Sequence, residues 1–111
     1  MLCNSQPWKE IAAHYSGSGH LRPMAELVST ITNSQQASWL NGFIFLDELL
    51  VSKNAVFELF SDCIHISFDT NADQFNAVDY RQTKIVWQKK IPAEQIHSGI
   101  NEILVRAKLD Y

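Results

Sequence analysis

The chain has 111 residues, 46 % of them hydrophobic and 19 % charged, with a net charge of −3. That length supplies one domain, spanning 1–111, and the composition is that of a folded chain, not a disordered one. Mild acidity without a basic stripe excludes the usual nucleic-acid binder, and no apolar run approaches the roughly 20 residues of a spanning helix.

The opening segment, MLCNSQPWKE, has neither a basic n-region nor an apolar h-region, so it does not read as a secretory signal. A cysteine at a lipoprotein junction follows a cleaved apolar segment, and none precedes Cys3. A cytoplasmic protein with its two cysteines, Cys3 and Cys63, as reduced thiols is the expectation.

Pro7 then opens a first helix, with Trp8, Ile11, Ala12 and Tyr15 on one face. Ser16-Gly17-Ser18-Gly19 ends it, since two glycines within three residues are poor helix formers. Pro23 opens a second helix with the stripe Met24, Leu27, Val28 and Ile31, closed by the polar stretch Thr32 to Gln36. In residues 37–52, Trp39, Leu40, Phe43, Leu46 and Leu50 fit one helical face. A short strand through Phe43-Ile44-Phe45-Leu46 is the alternative. Helix is preferred, because Asp47-Glu48 and the leucines that follow carry the pattern beyond strand length.

From Ala55 the period changes to two. Val56 to Phe60 and Cys63 to Phe68 read as a hairpin across Ser61-Asp62, the second strand carrying Ile64, Ile66 and Phe68 on one face and Cys63, His65 and Ser67 on the other. Asp69 to Asp73 is a turn by its Asx content. Phe75 to Tyr80 and Lys84 to Lys89 complete an antiparallel meander of three or four strands. Pro92 falls in the first turn of a closing helix with the stripe Ile96, Ile100, Ile103, Leu104, Ala107 and Tyr111. Glu94 stands near its start, and Arg106 and Lys108 near its end, as the helix dipole favours. The expected fold is α+β: short N-terminal helices, a three- to four-stranded antiparallel sheet and a C-terminal helix packed on it.

Each motif that could carry chemistry falls short of what that chemistry needs. Asp69, Asn71 and Asp73 match the first three positions of a calcium loop, but Gln74 replaces the turn glycine and Tyr80 the bidentate glutamate. Cys63-x-His65 sets a thiol beside an imidazole on one strand face, without the further ligands of a zinc site or a positioned base. A small enzyme using Cys63 and His65 is the least favoured reading. Gly17-Ser18-Gly19-His20 follows a helix and is followed by no lysine, so it is a linker, not a phosphate loop. Asp47, Glu48 and Glu94 are solvated helix-face carboxylates, and nothing places any two in one cleft. No catalytic residue, metal or cofactor is expected.

One pattern stands out. Asn54 to Tyr80 holds five acids, Glu58, Asp62, Asp69, Asp73 and Asp79, and no base; Arg81 to Lys90 holds Arg81, Lys84, Lys89 and Lys90 and no acid. Charges of alternating sign can pair across strands, and lysines on an edge strand discourage aggregation. The same block also suits docking to a basic protein partner.

In its plan (helical first half, a meander through Lys84-Ile85-Val86-Trp87, a closing helix from Pro92) the chain resembles bacterial immunity proteins, which neutralise the toxin domains of contact-dependent and related systems. That resemblance implies stoichiometric occlusion of a toxin's active site, with Asp62, Asp69, Asp73 and Asp79 meeting the toxin's Lys or Arg. It implies a monomer or weak homodimer. Small secretion chaperones, also acidic and α+β, are the second resemblance, and imply a dimer holding an unfolded segment.

Overall fold

In the computed structural model, which describes residues 1–109, Pro7 caps α1 (Trp8–Ser16) and Gly17 ends it. Ile11 and Tyr15 turn inward. A 3-10 turn (Gly19–Leu21) leads to α2 (Arg22–Thr32), which has Pro23 in its first turn and buries Met24, Leu27, Val28 and Ile31. Both helices follow their sequence stripes.

The next segment does not. A 3-10 turn (Gln35–Ser38) is followed by β2 (Asn41–Phe45) and β3 (Glu48–Ser52), paired as a tight hairpin with Phe45 opposite Glu48. The expected helix over 37–52 is therefore corrected to a turn and two strands. Both faces of this hairpin meet protein. Ile44 packs against the helices' core, and Phe43 and Phe45 pack against a second cluster on the opposite face. A strand covered on both faces loses its alternation, and an unbroken apolar run then mimics a helical stripe.

The chain continues through β4 (Val56–Glu58), β5 (Cys63–Asp69), β6 (Gln74–Arg81) and β7 (Lys84–Pro92). β2, β3, β5, β6 and β7 form a five-stranded antiparallel sheet in that order. The expected hairpin between residues 56–60 and 63–68 is not made. β4 instead pairs with β1 (Leu2–Asn4), Cys3 opposite Phe57, as a separate two-stranded ribbon. The sheet has five strands where three or four were anticipated, and the ribbon adds a third layer.

Pro92 ends β7 and does not begin the helix. A 3-10 turn (Ala93–Gln95) intervenes before α3 (Ile96–Lys108). Ile96, Ile100, Ile103, Leu104 and Ala107 are buried as their spacing requires, while Tyr111 lies outside the described residues. α3 packs on β3, β5, β6 and β7. Its close approach depends on Gly99, where a Cβ would come within 2.7 Å of Ile91 Cγ2.

The main core lies between the sheet and the helices: Leu49 and Val51, Ile64 and Ile66, Phe75 and Ala77 face Leu27, Ile31, Ile100 and Ile103. The smaller core lies between sheet and ribbon, where Cys3 and Phe57 meet Leu50 and Cys63.

Candidate interaction surface

The acids singled out in the sequence do not gather in one place. Asp62 precedes β5 and Asp69 ends it, so the length of a strand, about 20 Å, separates them. Glu58, on the ribbon, pairs with the Met1 ammonium at 3.2 Å.

Asp79 is withdrawn from the surface altogether, and its expected role as a partner-binding residue is corrected accordingly. It is 0 % exposed on the helix-facing side of the sheet. Arg81 Nε donates to its Oδ1 at 2.8 Å, and Arg106 Nη2 lies 3.0 Å from its Oδ2. Arg81 Nη2 also donates to the Arg106 carbonyl at 2.8 Å, so the triad fastens the end of α3 to β6. The guanidinium of Arg106 lies over the Trp87 ring, 5.5 Å from its centroid.

Topology creates a different acidic region. β3 runs antiparallel to β5 with Leu49 opposite Ile66, which puts the β2–β3 turn at the same end of the sheet as the β5–β6 turn. Ala93 N–H donates to the Asp73 carbonyl at 3.1 Å, so the connection carrying Glu94 arrives there too. Asp47, Glu48, Asp69, Asp73 and Glu94 therefore share one end of the sheet. Asp47 and Glu48 lie in a hairpin, not on the helix face that the sequence suggested.

At the tip of that end stands Leu46, 80 % exposed. Leu46 and Asp47 form the two-residue turn with φ of 50° and 65°, where glycine or asparagine is the ordinary occupant. α1 holds the turn in place. The Tyr15 hydroxyl donates to the Asp47 carbonyl at 3.0 Å, and His14 Nε2 lies 3.1 Å from the Asp47 carboxylate. Asp69 Oδ1 accepts from the backbone N–H groups of Asn71 and Ala72, bracing the neighbouring turn. A large apolar side chain is thus presented on a braced turn at the same end of the sheet as these carboxylates. Sequence reading assigned Leu46 to a helix stripe, and only recognition of the hairpin would have exposed it.

Cys63 and His65 are both buried and both directed at one acceptor. The Cys63 thiol donates to the Leu59 carbonyl at 3.2 Å, and His65 Nε2 lies 2.5 Å from the same oxygen. His65 is stacked against Phe60, with ring centroids 5.2 Å apart, and Tyr80 meets it edge-on. Burial, with a smaller contribution from Cys3, pushes the Cys63 thiol up to about 12. A nucleophilic cysteine needs the opposite shift. Among the described residues no group of three or more His, Cys, Asp or Glu is disposed to hold a metal ion.

A cleft of about 410 Å³ lies where α1 meets α2, lined by Tyr15, Ser18, Arg22, Glu26 and Ser29 among others. None of the acids or thiols discussed above lines it. On its rim Arg22 and Glu26 approach each other at 3.9 Å. Among the described residues no helix is long and apolar enough to cross a membrane. No protein-family model matches the chain, and comparison with curated proteins and with solved structures finds no match.

Proposed function

We propose that this chain is a protein-binding module of the immunity type, acting in the cytoplasm and neutralising a basic toxin domain by covering its active site. The observation that carries the reading is the acidic end of the sheet with Leu46 at its tip. Carboxylates steer a basic partner into encounter, and Leu46 supplies the apolar contact that steering alone cannot provide. Because α1 already fixes the turn, little ordering entropy is lost on docking. The surface thus takes in Asp69 and Asp73 from the acidic block, adds Asp47, Glu48 and Glu94, and leaves out Glu58, Asp62 and Asp79.

The test is affinity capture from the native host, followed by binding of the purified pair. The expected partner is a basic, toxic domain retained one to one, whose toxicity co-expression relieves. Leu46→Asp should weaken the pair by about 30-fold or more. Reversal of Asp69 and Asp73 to lysine should slow association and flatten its salt dependence. A partner bound equally well by all these variants would place the interface elsewhere.

One observation favours the secretion-chaperone reading. β7 is an edge strand of nine residues, with Ile85 and Val86 exposed beside Lys84, Lys89 and Lys90. Such an edge suits an extended segment of another chain. Light scattering separates the two readings: a stable homodimer that binds unfolded segments supports the chaperone, and a monomer that binds one folded domain supports immunity.

A further inference from the structure

The ribbon carries one cysteine, and the sheet beneath it carries the other. Cys3 lies opposite Phe57 in the β1–β4 pairing. The Cys63 thiol reaches the carbonyls of the next two residues, Glu58 at the end of β4 at 3.6 Å and Leu59 just beyond it at 3.2 Å. Cys3, Phe57, Leu50 and Cys63 form one buried cluster, the two thiols entering it from facing layers. Both are unbridged and buried. Burial raises the Cys3 thiol as well as that of Cys63, and Cys3 is the foremost neighbouring group raising Cys63.

We propose that Cys3 and Cys63 are a latent pair that closes into one disulfide, stitching the ribbon to the sheet, when the protein meets a small-molecule disulfide. The step is two successive exchanges. Cys3 loses its proton to solvent and its thiolate attacks the oxidant, forming a mixed disulfide and expelling one small thiolate. The Cys63 thiolate then attacks the Cys3 sulfur, forming the Cys3–Cys63 bond and expelling the second. Both cysteines are oxidised, and the oxidant leaves as two reduced thiols.

The order follows from the fold. Cys3 sits on a three-residue strand paired only with β4, and a two-stranded ribbon of that length opens readily. Cys63 sits on β5, the middle strand of five, and stays in place. Opening of β1 is thus the gate: closed, the ribbon shields both thiols; open, it delivers Cys3 to the oxidant and returns it, activated, to Cys63. The bond then closes a loop of about 60 residues, large enough for a substantial stabilisation of the folded chain.

The experiment is incubation of the native protein with excess glutathione disulfide at pH 8, followed by intact-mass analysis, peptide mapping and thermal melting. The expected product has lost two hydrogens, carries a Cys3–Cys63 cross-link without lasting adduct, and melts roughly 10 °C higher. Cys63→Ser should stop at a glutathione adduct on Cys3. Cys3→Ser should leave Cys63 at least ten times slower to react. Alanine replaces serine at either position if the serine variant fails to fold. A persistent Cys3 adduct in the parent protein, a cross-link between two molecules, or no loss of thiol would each overturn the proposal.

Discussion

Replacement of Asp79 by asparagine tests the buried triad most directly. The substitution keeps the side chain's volume and removes the negative charge between Arg81 and Arg106. Arg81 is 6 % exposed and stays largely shielded from water, whereas Arg106, at 20 %, has more room to reach solvent. Breaking a buried ion pair by removing one partner costs about 3–5 kcal/mol. The freedom of Arg106 points to the lower part of that range, about 3 kcal/mol. For a chain of this length that lowers the melting temperature by roughly 10–15 °C, from an unfolding entropy of about 2.1 cal/mol/K per residue. Urea denaturation followed by far-UV circular dichroism measures the loss. The double variant Asp79→Leu/Arg81→Met should recover much of it, because apolar groups of similar volume replace buried ions at little net cost. An Asp79→Asn protein within 1 kcal/mol of the parent would refute the reasoning and mean that water reaches the triad.

Leu46→Asn should raise stability by about 1 kcal/mol, since asparagine tolerates the left-handed backbone that leucine resists; a protein merely unchanged in urea would remove strain from the account. Gly99→Ala should destabilise by about 1 kcal/mol or more despite alanine's better helix propensity, because the new methyl collides with Ile91; thermal melting decides the sign. Above pH 9 stability should fall by about 1 kcal/mol per pH unit, because the unfolded chain ionises Cys63 while the fold holds it neutral to about 12; Cys63→Ala should flatten that slope in urea titrations. Tyr15→Phe should cost about 1 kcal/mol through the lost hydrogen bond to the Asp47 carbonyl, and weaken partner binding by loosening the turn, readable by calorimetry.

Helices α1, α2 and α3 were legible in the sequence because each buries a single stripe, and the 3.6-residue period survives on the page. β5 and β6 were legible for the related reason that Ile64, Ile66 and Phe75 alternate with less apolar neighbours. The β2–β3 hairpin was not, since the ribbon covers its second face and Leu46-Asp47 lacks the glycine that announces a tight turn. The pairing of β4 with β1 was hidden by distance: three residues, Leu2-Cys3-Asn4, carry no strand signal of their own and act only through partners more than 50 positions away. The acidic block illustrates the same limit. Composition located Asp79 among surface acids, but its burial is decided by Arg81 on its own strand and Arg106 on a helix 27 positions on. The acids that do share a surface lie in or beside three separate turns, and only sheet order brings them together.

The two borders of the five-stranded sheet are unequal. Along β2, Gln6 donates its backbone N–H to the Gly42 carbonyl at 2.8 Å, and its side-chain oxygen accepts from Ile44 N–H at 2.8 Å. β7 has β6 on one side only. Strand addition can therefore extend the molecule in one direction and not the other. Two copies joined through β7 would present a plugged border at each end, so any assembly of this kind terminates as a pair. Polymerisation into a fibre would require Gln6 to be pulled from its seat, and the bonds it makes there are the barrier against it.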